Sequence, residues 1–240
     1  MFRVLGLINA RAGSKSIKNK NIKNLHGLPL IAWTIKSSLK SKLISDLVVS
    51  SDSKRILSIS KKYKVKYNFL RPDYLSKDNS KQFDVVYYMV NKLSKLDMNY
   101  DAIILLQPTF PLRSSKDIDD SIKIMKKTNA DSVISVTETN PNLPYTLYTK
   151  DYSNNLKSLF KIPKKGTNRQ NLRKIYSRVG CIYLTKTKTI LKNKSIYGKR
   201  IKSILIPDYR SFDIDTIHDW DLLESWIKTK KNKYKFYENW

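Results

Sequence analysis

Cysteine is almost absent from this chain of 240 residues: Cys181 stands alone, so no intrachain disulfide exists and the redox environment is left open. Histidine is nearly as scarce, and neither His26 nor His218 has the partner spacing of a zinc site or a catalytic triad. Glycine and proline, at 6 and 8 residues, are too few for a disordered chain. No Gly-x-Gly occurs, which excludes the dinucleotide-binding fingerprint, and no glycine stands at the Walker A spacing ahead of Gly13-Ser14-Lys15. Long apolar runs are missing too. Nothing reaches the length of a membrane span, and Asn9 and Arg11 interrupt the opening Met1–Ile8 stretch where a signal peptide needs its cleavage region. The expectation is a cytoplasmic protein with no membrane partner.

Acid is in deficit. Asp and Glu number 20 against 47 Lys and Arg, for a formal net charge of +27. A charge of that size suits nucleic acid, a membrane surface or small anions. The lysines are spread over every predicted helix and loop, as in Ser60-Lys61-Lys62-Tyr63-Lys64, whereas polynucleotide binders cluster theirs. No nucleic-acid partner is expected, and small anionic substrates are favoured by attraction. Hydrophobic residues at 40% and charged residues at 28% are ordinary for a globular protein, and the length suffices to bury one sizeable core.

Apolar runs alternate with helical patterns, which predicts buried parallel strands in a βαβ series. The strands are Val4 to Asn9, Leu47 to Ser50, Val65 to Leu70 near an edge, the central Ala102 to Leu106, and Ser132 to Val136. Pro29 opens a helix with Ile31, Ile35 and Leu39 on one face; further helices place Ile56, Ile59 and Tyr63, then Phe83, Val86, Val90 and Leu93, then Ile118, Ile122 and Met125. After Glu138 the pattern breaks. Residues 139–179 are polar, carry Pro141, Pro144 and Pro163, and read as a lid or dimerisation arm. The sheet resumes at Gly180–Leu184 and Ile201–Ile206, and a last helix from near Thr216 buries Trp220, Leu223 and Ile227. Residues 1–240 thus read as a single α/β domain with a doubly wound, mostly parallel sheet and one excursion.

Chemistry is expected at the carboxyl ends of the strands. The loop Asn9–Asn21 leaves the first strand there: Gly13 lets backbone amides approach phosphate, Ser14 offers a hydroxyl, and Arg11, Lys15 and Lys20 add positive charge. A solvated basic loop has the same composition; its place after a buried strand favours a phosphate site. In Phe212-Asp213-Ile214-Asp215-Thr216, an extended backbone turns both carboxylates to one side, which suits Mg²⁺. Helix capping is the competing reading, and Thr216 with Asp219 fits it. In Leu106-Gln107-Pro108-Thr109-Phe110-Pro111-Leu112-Arg113, two prolines fix a turn that can aim Gln107 and Thr109 at a ligand, with Arg113 beside them or paired to Asp117.

Taken in order, these pieces resemble the acylneuraminate cytidylyltransferase family, the CMP-sialic acid synthetases and related CMP-nonulosonic acid synthetases. The resemblance is carried by Ile8–Lys15 with Lys20-Asn21, Leu28–Ile31, Val49–Asp52, Arg71-Pro72, Leu75–Asp78, Leu106–Thr109 and Phe212–Asp215. It implies a Rossmann-like nucleotidyltransferase that forms homodimers through residues 139–179. It also implies that Arg11, Ala12, Gly13, Ser14, Lys20 and Asn21 hold the phosphates of CTP and that Arg71 contacts the base. Gln107, Thr109, Arg169, Gln170 and Tyr183 are then expected around a nonulosonic sugar acid, with Mg²⁺ on Asp213 and Asp215. Arg11, Lys20 and Asp215 are the expected catalytic groups. Arg173 and Val179-Gly180 depart from the family pattern near the sugar, where members often carry a proline and an Asn-Gly. The expected reaction is CMP transfer from CTP to the sugar's anomeric hydroxyl with release of pyrophosphate. Two rivals are a glycosyltransferase using Asp-x-Asp, against which motif order argues, and an RNA-binding protein, supported by charge alone.

Overall fold

The computed structural model describes residues 1–161 and 172–230. The chain opens with β1 (Val4–Asn9), a two-residue ladder of β2 (Asn24–Leu25) and β3 (Leu28–Pro29), and α1 (Leu30–Leu39). It then alternates through β4 (Asp46–Ser51), α2 (Lys54–Lys62), β5 (Tyr67–Leu70), α3 (Gln82–Ser94), β6 (Ala102–Leu105), α4 (Ser115–Thr128) and β7 (Ser132–Thr139). A small antiparallel pair, β8 (Tyr148–Lys150) and β9 (Leu156–Ser158), lies in the excursion; β10 (Ile175–Lys186), α5 (Thr187–Asn193), β11 (Ile201–Leu205) and α6 (Ile217–Lys230) follow.

Seven strands form the main sheet in the order β11-β7-β10-β6-β1-β4-β5. All neighbours are parallel except β10, which runs antiparallel to both β6 and β7. β6 is central and its four residues are buried, as an unalternating apolar run requires when both faces of a sheet are covered. α1, α2 and α4 cover one face through Ile31, Ile35, Ile56, Ile118, Ile122 and Met125. α3 and α5 cover the other through Val86, Met89, Val90, Leu93 and Ile190. The chain winds from β1 outward to β4 and β5, then crosses back to β6, so the strand order reverses between β1 and β6. A crevice opens at the carboxyl ends of the strands at such a point.

Two expectations need correction. Leu39 is 47% exposed although Ile31 and Ile35 on the same helix are fully buried; it is the last residue of α1, where the helix leaves the sheet. The sheet also resumes at Ile175 rather than Gly180. Residues Ile175 to Arg178 pair with Thr139 to Val136 on β7 alone, beyond the end of β6, so both faces of this overhang meet solvent and no apolar pattern marks it. The edge position of β5 is as read, since β4 is its one neighbour.

A third cluster stands apart from the sheet faces. Trp220, Leu223 and Ile227 of α6 pack with Ile17, Leu25, Leu30, Trp33, Leu112 and Ile214. α6 is thereby pressed against the loop after β1, and Ile214 is fixed within the same cluster. Among the described residues, no helix is long and apolar enough to cross a membrane. Trp220→Ala is expected to cost about 3–5 kcal/mol by urea denaturation, because Trp220 is the largest fully buried side chain.

Candidate active site

β1 delivers its carboxyl end to the crevice. Ala10 N–H donates to Ser50 O at 3.0 Å, so the chain leaves alongside β4. Two bonds then shape the loop: Ala12 N–H donates to Asp52 Oδ1 at 2.9 Å, and Asn21 Nδ2 donates to Arg11 O at 2.8 Å. Asn19 turns the loop into a short 3₁₀ segment at φ 57°, a left-handed conformation that Asn tolerates better than most residues. The result is a cleft of about 310 Å³ lined by Arg11, Ser14, Lys20 and Asn21. Arg71, after β5, and Gln107 and Thr109, on the turn after β6, line the same cleft from two other segments.

The carboxylate pair is tied to this loop directly. Lys20 Nζ donates to Ile214 O at 2.7 Å and lies 3.3 Å from Asp215 Oδ1. Ser16 Oγ donates to Asp215 O. Thr109 holds the segment from the other side, its carbonyl accepting Ile214 N–H at 3.0 Å and its hydroxyl bonding the Asp213 carboxyl. Ile214 is buried while Asp213 and Asp215 remain open to solvent, the alternation that an extended backbone imposes. Capping is real but separate: Asp219 Oδ2 accepts Asp215 N–H and Thr216 N–H at 3.0 and 2.7 Å, leaving the Asp215 carboxylate outside the cap.

The remaining expected residues fall in different places. Ala12 and Gly13 are in the loop but do not line the 310 Å³ cleft, and a Cβ on Gly13 would meet nothing within 4 Å. Tyr183 lies under the surface of β10, edge-on to Tyr197 at 6.1 Å between ring centroids. Burial pushes its phenol up to about 12, with Tyr197 adding to the shift. Arg169 and Gln170 lie outside the described residues. Arg113 does not pair with Asp117. Arg210 takes that carboxylate with two bonds at 2.6 and 3.0 Å, and the buried Asp117 also closes a capping box with Ser114.

Sequence reasoning passed over three residues here. Asn9 ends the apolar run of β1, lines the cleft, and keeps both side-chain polar atoms buried without a protein partner. Asp52 holds the loop through Ala12, and Asp78 pairs at 2.8 Å with both Arg11 and Lys15. A lone Asn closing an otherwise apolar strand was the available signal for the first. Asp52 and Asp78 close two of the blocks that carry the family resemblance, but their partners, 40 and 67 positions distant respectively, could not be read from spacing.

Charge in the cleft is polarised. Arg71 is 5% exposed and its pKa is drawn down, chiefly by burial and then by Arg11, against the pull of Asp52. Lys15 and Arg11 hold the Asp78 carboxyl below the usual carboxylate range, the Lys15 bond acting most. Asp213 behaves in the opposite way. Although its side chain keeps an opening to solvent, protein packed around it pushes its carboxyl up to about 6; the Thr109 bond opposes this and the neighbouring Asp215 adds to it. Two hard-oxygen donors crowded together in this manner fit Mg²⁺, which keeps several waters and takes phosphate oxygens as its other ligands. No larger cluster of metal-binding side chains occurs among the described residues.

A reversing α/β sheet with a cation-lined crevice at its strand ends, and two carboxylates outside that lining but tied to it through Lys20 and Thr109, is the frame of a nucleotide-handling enzyme. A family model described as Cytidylyltransferase matches residues 5–239. The chain belongs to the cytidylyltransferase family and is a nucleotidyltransferase. It is 36% identical over 224 residues to the CMP-N,N'-diacetyllegionaminic acid synthase of Legionella pneumophila, covering 92% of this chain and 95% of that protein. It is 29% identical over 215 residues to the pseudaminic acid cytidylyltransferase of Campylobacter jejuni, covering 90% and 92%. The fold is shared with CMP:2-keto-3-deoxy-manno-octonic acid synthetase complexed with CTP, at a TM-score of 0.71 and 15% identity over 95% of this chain and 99% of that one. Neither the glycosyltransferase nor the RNA-binding reading finds support in these likenesses.

The raised Asp213 carboxyl has a measurable consequence. Its ordinary value is 3.8, so between that and about 6 the folded chain keeps a proton that the unfolded chain releases. Its contribution to stability is therefore full at low pH and lost as pH rises through about 6. Without added metal, Asp213→Asn is expected to melt above wild type at about pH 8 and close to it at about pH 4. A melting difference that does not change with pH would count against the raised value.

Proposed function

We propose that this chain transfers CMP from CTP to the anomeric hydroxyl of a nonulosonic sugar acid, with Mg²⁺ as cofactor. The observation that carries this reading is Lys20, which sits in the cleft of the amino-terminal loop and reaches Ile214 O and Asp215 Oδ1. One side chain thus couples the cationic flank to the carboxylate flank. A nucleoside triphosphate would lie in the cleft with its charge met by these cations, beside the carboxylates that would hold a divalent ion.

In this reading Arg11, Ser14, Lys20 and Asn21 hold the phosphates, with backbone amides around Ala12 and Gly13, and Arg71 meets the cytosine. Gln107, Thr109 and Tyr183 face the sugar acid, joined by Arg169 and Gln170. The acceptor hydroxyl oxygen attacks the α-phosphorus in line as the bond to the bridging oxygen of the β-phosphate breaks. The hydroxyl proton passes to solvent and pyrophosphate departs. Arg11 and Lys20 stabilise charge that grows on the leaving group. Asp213 and Asp215 would hold Mg²⁺, which supplies Lewis-acid stabilisation of phosphate oxygens when bound. Below about pH 6 protonation of Asp213 competes with that role.

The expected assay outcome is pyrophosphate release from CTP and Mg²⁺ with at least one member of a panel of legionaminic, pseudaminic and neuraminic acids. Asp215→Ala is expected to lose about a thousandfold or more in turnover while keeping its circular dichroism spectrum. Retained turnover would remove Asp215 from the mechanism.

The excursion supports a homodimer. Leu143, Leu147, Tyr148, Leu156, Leu159 and Phe160 are all exposed along one short stretch, an apolar concentration that marks an association surface. Sedimentation is expected to give a dimer, and Leu156→Asp to shift it toward monomer; a monomeric wild type at micromolar concentration would exclude the arm.

A further inference from the structure

Gln107 occupies a place built by residues outside the cleft. The register of β10 against β7 slips between Arg178 and Tyr183, so Val179–Ile182 leave the ladder and need other partners. Ser135 Oγ supplies two of them, donating to Val179 O at 2.7 Å and accepting Ile182 N–H at 2.8 Å. Arg113 supplies the third. Its Nη1 donates to Cys181 O at 2.7 Å and lies 3.3 Å from Gln107 O, bridging the bulge to the turn after β6.

The choice of residue is costly. Arg113 is fully buried, Asp117 is already committed to Arg210, and the Arg113 Nε and Nη2 atoms have no hydrogen-bond partner. Apolar side chains often fill such positions with better stability. What the guanidinium does that they cannot is grip two carbonyls from two segments with a rigid, charged donor. Gly180 completes the arrangement. A Cβ there would stand 2.1 Å from Gln107 Oε1 and 2.6 Å from Phe110 Cε2, so the Gln107 carboxamide lies in the gap that glycine leaves.

We propose that Arg113 is a positioning residue that acts through Gln107. By clamping the carbonyls of Gln107 and Cys181 beside the gap at Gly180, it fixes the Gln107 carboxamide on the wall of the cleft and so sets how the acceptor sugar acid is held. The identity of that acceptor rests on the cytidylyl-transfer reading; the clamp itself does not.

Arg113→Met and Arg113→Lys, alone and with Gln107→Ala, test the clamp by kinetics. For Arg113→Met, kcat/KM for the sugar acid is expected to fall on the order of 10²-fold, the usual result of a small misplacement. The KM for CTP should stay at its wild-type value. In the Gln107→Ala background neither Arg113 variant should lower kcat/KM further, because both changes remove one function. Additive losses, or equal losses toward CTP and sugar acid, overturn the proposal. Arg113→Lys keeps the charge without the planar fork and carries the same test if the Met variant does not fold. A wild type inert with every sugar acid would sink the functional reading only. The clamp is then decided by the Gln107 side-chain amide resonances of ¹⁵N-labelled protein, which should be distinct in wild type and collapse to the values of exposed glutamines in Arg113→Lys. Unchanged resonances would overturn it.

Discussion

The cleft depends on one ammonium group. Lys20 is buried to 9% exposure, and a cation removed from water to that extent must be repaid by close partners. Ile214 O at 2.7 Å is the better of the two it finds, since the Asp215 carboxylate stands farther off and its side chain is 72% exposed. An ion pair so open to solvent contributes little by itself. The charge-assisted bond to a buried carbonyl is the stronger link, and it reaches across 194 positions of sequence. Ser16 and Thr109 bond the same segment, so the ends of two strands, β1 and β6, converge on Phe212–Asp215 and no single loop defines it.

This arrangement also explains why the acids near the cleft are few and specifically placed. Asp78 pairs with Arg11 and Lys15 and cancels one of their two charges, and Asp52 both holds Ala12 and offsets the charge on Arg71. Without such acids, Arg11 and Arg71 would repel each other in a partly desolvated space. The overall excess of +27 belongs to the surface. It raises the local concentration of any anion around the protein, whereas discrimination rests on the handful of buried or paired cations.

Much of the architecture was legible because strands buried on both faces leave continuous apolar runs. Val4–Asn9, Asp46–Ser51 and Ala102–Leu105 all lie where those runs fall, and Trp220, Leu223 and Ile227 are buried as their helical spacing requires. The first half of β10 was not legible, because an overhanging ribbon has no buried face to pattern. The direction of β10 was invisible for a related reason: parallel and antiparallel strands inside a covered sheet carry the same side chains. Within the cleft, groups on one contiguous loop, such as Arg11, Ser14 and Lys20, could be grouped from their spacing. Arg113 with Cys181, and Lys20 with Ile214, could not, since nothing local distinguishes a lysine or arginine that ends in solvent from one that reaches a distant carbonyl.

The single reversed strand has a further consequence. Because β7 and β10 are antiparallel neighbours, the chain between them leaves and re-enters the sheet at the same end, and their pairing needs no crossover. Its length is thus uncoupled from the winding of the core: the segment can grow, shrink or be exchanged without shifting any helix that covers the sheet. The catalytic frame can stay fixed while this appendage diversifies, so variation among such enzymes has a structural reservoir that leaves nucleotide chemistry untouched.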